Sequence, residues 1–215
     1  RPLVEQWIGS IPKGNSLKSR DLGIRPPKGV VEKKVNKGIE QKSQVRIMLT
    51  GETTWSPEEK ARLSLMIDCL KDMLQKNLRE DKGGTYSVGA SANLVKIPYE
   101  HYQVTISFGC APENVEKLKA AVYEEMEALK KNGPTVTLLQ QQKSVNKSDI
   151  EEARRSNESW MSWLLYSLEN EQPVPNPDEI SKRYESVSLK DVQDAAKKYL
   201  KTDNQIVVVL YPEQG

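Results

Sequence analysis

The sequence predicts an α+β fold, a mixed and largely antiparallel sheet with helices packed on one face. Three observations lead there. Tyr102, Val104, Ile106, Phe108 and Cys110 alternate with His101, Gln103, Thr105, Ser107 and Gly109, the period of a strand with one buried and one wetter face. Leu63, Met66, Ile67, Leu70, Leu74 and Leu78 recur at helical spacing, an apolar stripe that must pack on a sheet or another helix. Ile206 to Tyr211 is almost wholly apolar, as befits a central strand covered on both sides.

Taken in order, the chain opens on PLVEQWIGSIP, where Leu3, Trp7 and Ile8 have helical spacing. A start in mid-pattern, at Arg1 and without Met, is what a piece of a longer polypeptide would show. Residues 10–30 carry Pro12, Gly14, Pro26, Pro27 and Gly29 with few large apolar side chains, and are expected as a long loop. Val30 to Glu52 reads as a strand pair. VVEKKV comes first, NKGIEQKS is a polar turn region, and QVRIMLT follows with Val45, Ile47 and Leu49 alternating. Ser56-Pro57-Glu58-Glu59 opens the long helix, with Ser56 as N-cap, Pro57 at the first helical position and Glu59 closing a capping box. Thr85 to Asn93 and Tyr99 to Cys110 form an expected antiparallel pair joined through LVKIP. Pro112-Glu113 starts a helix to about Lys131, stopped by Asn132-Gly133-Pro134. Thr135 to Glu171 is helical again, with a break near Ser156-Asn157, and Trp160, Trp163 and Leu164 are expected as core anchors. PVPNPDE, 173–179, is a proline-rich loop, and Ser188 to Asp191 cap a last helix to Leu200.

Composition narrows the function. The chain has 215 residues, 37% hydrophobic and 29% charged, within the range of soluble globular proteins. Lys+Arg 32 against Asp+Glu 30 leaves +2, with the signs interspersed, so no nucleic-acid partner is indicated. No apolar run reaches the ~20 residues that cross a bilayer. Cys69 lies in the apolar helix and Cys110 closes an apolar strand face, so both are expected as buried free thiols. His101 is the single histidine, which excludes H-E-x-x-H and H-x-x-E-H, each of which needs two. No G-x-S-x-G elbow accompanies His101, which reads as a surface or hydrogen-bonded strand residue. Gly83-Gly84 is no phosphate loop, because G-x-x-x-x-G-K-[ST] is missing and a strand follows. Glu58, Glu59, Glu124, Glu125, Glu127, Glu151 and Glu152 lie on charged helix faces and read as solvated surface.

LREDKGGTYSV, 78–88, is the segment with chemical interest. It runs from the end of the amphipathic helix, across Gly83-Gly84, into a strand, with Arg79 and Tyr86 on either side of the turn. A guanidinium fork and a phenol so placed suit a peptide carbonyl or an oxyanion. As a bare pair they also suit structure, since Arg meets a helix C-terminus favourably and Tyr is common in strands.

Several segments, in common order, resemble the pitrilysin and insulin-degrading type of zinc peptidase (inverzincins), which includes the mitochondrial processing peptidases. They are WIGSIP (7–12), GVVEKKVNKGIEQKSQVRIMLTG (29–51), LREDKGGTYSVGAS (78–91), FGCAPENVEKL (108–118), GPTVTLLQQQK (133–143) and VSLKDVQDAAKKYL (187–200). The resemblance implies duplicated α+β domains paired into two bowl-like halves around a chamber. Their first domain carries H-x-x-E-H and zinc. This chain, 1–215, resembles the later, non-metal domain, last or even-numbered where four lie on one chain, and truncated at its N-terminus. That family's arginine and tyrosine reach from the non-catalytic half and hold the substrate carbonyl, a role that maps onto Arg79 and Tyr86. No catalytic residue, metal ligand or cofactor is then expected in this chain; zinc belongs to a partner domain on the same longer chain or on another subunit. The expected partners are that metal-bearing domain and a peptide or unfolded polypeptide. No compartment is read from the sequence, and the bacterial periplasm is one the resemblance allows. Two other readings stay open: a catalytically silent scaffold or assembly subunit of the same family, and a plain peptide-binding module.

Overall fold

A computed structural model describes residues 1–12, 14, 20–81 and 85–213, with backbone alone for 79–81 and 85–87. Of the loop expected over 10–30, residues 13 and 15–19 lie outside the described residues, as does the Gly83-Gly84 break.

Among the described residues the strands are β1 (Val30–Asn36), β2 (Ser43–Glu52), β3 (Thr85–Val95), β4 (His101–Cys110) and β5 (Gln205–Tyr211). They form one sheet in the order β1-β5-β2-β4-β3, parallel between β1 and β5 and antiparallel elsewhere. The mixed, largely antiparallel sheet is therefore as expected. The hairpin over Val30 to Glu52 is not, because β5 lies between β1 and β2. The reason is polarity. VVEKKVN exposes every residue but Val31, so it suits an edge, whereas the apolar β5 suits a place with a strand on each side. Central position does not bring two-sided burial, however. Val207 and Val209 are buried, Ile206 and Val208 are half-buried, and Leu210 is exposed.

The covered face follows the alternation of the strands. Val45, Ile47 and Leu49 of β2 stand beside Phe108, Ile106 and Val104 of β4, and Val209 and Val207 of β5 continue the rows. On this face lies α2 (Pro57–Gln75), packed against β3 and also against α3 (Val115–Asn132), α4 (Val136–Ala153), α6 (Pro177–Ser186) and α7 (Leu189–Tyr199). All six stripe residues from Leu63 to Leu78 are buried. So are Leu65 and Cys69, at 0% exposure, because the second helical layer covers α2 from behind. The N-terminal α1 (Pro2–Trp7) is exposed along its length.

The helix ends obey their sequence signals with one substitution of partner. Ser56 accepts a hydrogen bond from the Glu59 N–H at 3.0 Å, but the Glu59 carboxylate does not complete a capping box. It accepts instead from Tyr199 Oη at 2.5 Å and Lys198 Nζ at 2.6 Å, both on α7, and from Arg62 at 2.9 Å. Glu59 is thus an inter-helix tie and not the solvated surface residue that its charged neighbours suggest. The complete capping box is that of Ser188 and Asp191 on α7.

The break at Ser156 separates α4 from α5 (Asn157–Glu169). The core anchors expected on α5 are not in the core. Trp160 and Trp163 are half-buried and meet edge to face at 5.0 Å, and Leu164 is 42% exposed. Bulk did not become burial because α5 packs on no strand or helix as closely as the other long helices do. The proline-rich loop is shorter than expected, since Asn176 caps α6 and Pro177 begins it.

Candidate functional site

The candidate site is the passage from α2 into β3. Leu74 and Leu78 anchor the end of the helix at 0% exposure. The next turn, Lys76–Asp81, widens into a π-helical form, and Arg79 has its backbone there. Such widened turns cluster at functional sites because they redirect side chains without ending the helix. Asn77 donates to Glu125 of α3, which ties this turn to its neighbour. Across the undescribed residues, β3 begins at Thr85 opposite Cys110, and a bulge between Thr85 and Ser87 places Tyr86 out of the regular register. Bulges re-aim side chains beside active sites. The side chains of Arg79 and Tyr86 themselves lie outside the described residues. Their backbones fall on two irregular turns of neighbouring elements, and α2 packs closely on β3.

β3 is an edge strand, eleven residues long, with β4 on its inner side. Its ladder to β4 runs from Thr85 to Val95, so its inner edge is fixed while its outer edge has no strand beside it among the described residues. An edge of this kind can take an extended peptide as a further strand.

His101 has no catalytic company. Its Nδ1 shares a 2.9 Å hydrogen bond with the Tyr99 carbonyl, and its ring stacks on Tyr99 at 4.1 Å. Arg25 lies over the same Tyr99 ring, 3.5 Å from its centroid. It also pairs with Asp21, whose carboxyl this hydrogen bonding holds down at about 2. The stack pins residues 21–25 to the end of the sheet, a structural duty.

The described residues do not fit a zinc ion. No three of their His, Cys, Asp or Glu side chains are grouped to hold a metal. Both cysteines are free and buried, and burial pushes their thiols up, Cys69 to about 12 and Cys110 to about 11. Neither is then a ready thiolate ligand.

The sequence did not foretell the Asn77–Glu125 tie, nor a cavity between α2, α5 and α6 lined by Trp55 and Tyr166. Aromatic residues far apart in the chain give no periodic signal, and only the packing of three helices brings them together.

Comparison with known proteins bears on the family and the fold. The family described as the peptidase M16 inactive domain matches residues 1–146. The probable zinc protease PqqL of Haemophilus influenzae is 29% identical over 174 residues, covering 80% of this chain and 18% of that protein. The crystal structure of the periplasmic protease PqqL from Escherichia coli superposes with a TM-score of 0.82 at 20% identity, over 99% of this chain and 24% of that one. A peptidase M16 inactive domain from Pseudomonas fluorescens gives 0.75 at 18% identity, over 96% of this chain and 49% of its own. The chain therefore spans less than a quarter of either PqqL. The fold and the sequence match agree: the chain belongs to the peptidase M16 inactive-domain family.

Proposed function

We propose that this chain is the substrate-binding, non-catalytic domain of a zinc metalloendopeptidase. It closes a peptide chamber opposite a metal-bearing domain, carried on the same longer chain or on a partner. Arg79 and Tyr86 are its contribution, a guanidinium and a phenol that donate to the carbonyl oxygen of the bound peptide as negative charge builds there. One observation carries the reading. In a member of the M16 inactive-domain family, the backbones of these two residues fall on a widened helical turn and a strand bulge at the junction of two packed elements. The open edge of β3 supports it further, because an extended substrate can lie there while its carbonyl meets the two donors. The zinc chemistry is assigned to the other domain, since the residues described here do not fit a metal. A bacterial periplasmic setting is supported by the solved PqqL of Escherichia coli.

The test is Arg79→Ala in the full-length enzyme. Loss of one such donor lowers kcat by roughly 10²–10³. Activity within about twofold of wild type, with folding intact, refutes the assignment. A parent protein without H-x-x-E-H in any domain or partner would leave the scaffold reading in its place.

A further inference from the structure

We infer that the cavity between the N-terminal end of α2, α5 and α6 is a binding site for the C-terminal residues of a peptide ending in a bulky apolar side chain. Its volume is about 600 Å³, within the span of sites for small organic ligands. Trp55, Trp163 and Tyr184 form apolar walls, Tyr166 and Lys60 supply polar groups, and Pro173 to Pro175 close one side. None of these residues belongs to the α2–β3 junction. Lys60 and Arg79 are nineteen positions apart along one continuous helical run, roughly 25–30 Å at helical rise. The inference is independent of the role given to Arg79.

The polar groups decide the chemistry. The Tyr166 hydroxyl and the Trp55 indole N–H are shielded from solvent, and neither makes a well-formed hydrogen bond within the protein. Burial raises the Tyr166 pKa and the neighbouring indole partly offsets this, so the phenol stays a protonated donor. Even with the indole leaning on the phenol oxygen, the phenol O–H still lacks an acceptor. Lys60 holds its ammonium 4.4 Å from the centroid of the Tyr166 ring. No carboxylate pairs with it among the described residues, and burial lowers its pKa. By contrast Arg183, also on the lining, is matched by Glu58 at 3.0 Å.

Three classes of guest can be compared against these groups. An aromatic cage attracts cations, but here Lys60 already supplies a positive charge over the Tyr166 ring. A neutral apolar guest would bury the walls and leave the ammonium and the phenol O–H without partners, which costs affinity. A carboxylate joined to an apolar side chain satisfies both, accepting from Tyr166 and pairing with Lys60 in a partly desolvated setting where such pairs are strongest. Glu179, the carboxylate at the rim, is exposed and screened. The rest of the cavity favours a peptide over a free acid. Asn176 uses its Oδ1 to cap α6 at 2.9 Å, which leaves its amide N–H groups to donate to a peptide carbonyl at the cavity wall.

The test titrates the 215-residue chain with acetyl-Ala-Ala-Phe as the free acid, with its C-terminal amide and with 3-phenylpropionate. Binding is read by tryptophan fluorescence and by calorimetry. The acid is expected to bind saturably, the amide and 3-phenylpropionate at least about tenfold more weakly. Lys60→Met should bring the acid to the level of the amide, and Lys60→Arg should restore most of the preference. Lys60 is an exposed residue in the first turn of α2, so these variants fold, and matching thermal midpoints verify it. Equal binding of acid and amide, or an unaltered affinity in Lys60→Met, overturns the carboxylate assignment. Binding of 3-phenylpropionate as tight as the peptide overturns the peptide assignment, and absence of saturable binding of the acid below about 5 mM overturns the site.

Discussion

Glu59→Ala is the substitution whose effect the structure prices most directly. Glu59 is a side chain that reads in the sequence as surface charge and acts in the fold as a bolt between α2 and α7. Its Oε2 accepts from Tyr199 and Lys198, and its Oε1 from Arg62. Tyr199 is fully buried, and burial followed by the adjacent carboxylate raises its pKa, so the phenol is a permanent donor. Removing the carboxylate leaves that donor unpaired, at about 1–3 kcal/mol. The Lys198 and Arg62 pairs are partly exposed and contribute about 0–1 kcal/mol each. An acidic side chain in the first turn of α2 adds about 0.3–1 kcal/mol through the helix dipole. Glu59→Ala should therefore cost about 3 kcal/mol and lower the thermal midpoint by about 6–12 °C for a chain of this size. Glu59→Gln keeps an acceptor for Tyr199 and should lose about half as much. The pH dependence has a definite sign. Burial acts to raise the Glu59 pKa, and hydrogen bonds from Lys198, Tyr199 and Arg62 outweigh it and hold the pKa below the usual value. The stabilisation is then complete above the unfolded carboxylate pKa, about 4.3, and is lost as pH falls through the lower folded value. Thermal unfolding followed by far-UV circular dichroism at pH 7 and below pH 4 should show the gap between wild type and Glu59→Gln narrowing with acid. A midpoint loss under about 2 °C for Glu59→Ala at pH 7 would refute the reasoning.

Two further expectations rest on packing. Gly51→Ala would place a Cβ 2.6 Å from Cε1 of Tyr102, a buried ring that also meets Tyr199 edge to face at 4.9 Å. That overpacking should cost about 1–3 kcal/mol in a denaturant titration, and a loss below about 0.5 kcal/mol would show that Tyr102 has room to move. Cys69 and Cys110, buried and with thiols pushed up to about 12 and about 11, should react with a thiol-specific disulfide reagent only as the chain unfolds. A fast native-state phase from either thiol would contradict their burial.

What could be read from the sequence, and what could not, divides along physical lines. Period-two alternation in β4 and helical spacing from Leu63 to Leu78 identified the covered face correctly, because burial on one side is what writes those patterns. Cap signals at Ser56 and Ser188 located helix starts, since the backbone needs of a helix end are local. Strand order was not legible. Nothing local says that β5, more than 150 residues after β2, will enter between β1 and β2, and sequence adjacency suggested a hairpin instead. Asn176-Pro177 carried the start of α6 in plain view, but the surrounding prolines read more strongly as loop. Trp160, Trp163 and Leu164 misled for the opposite reason, because apolar bulk measures what could be buried and not what another element covers. For the candidate site, the residue types alone drew attention to the segment, whereas the widened turn and the bulge within it are irregularities no periodic pattern announces.

The proposed role of Arg79 carries a requirement that any shared site imposes. A donor that must meet a carbonyl opposite another domain needs a backbone held on its own side, since misplacement by about 1 Å can cost roughly 10² in rate. An ordinary surface loop would not supply that. Here the turn bearing Arg79 follows directly on Leu74 and Leu78, both at 0% exposure, and is tied through Asn77 to Glu125 on α3. Thr85, just before Tyr86, pairs with Cys110 at the buried end of β4. Buried residues thus flank both backbones, while β3 keeps an edge with no strand beside it among the described residues. A packed inner side with an open outer edge is the combination the proposed substrate grip would need.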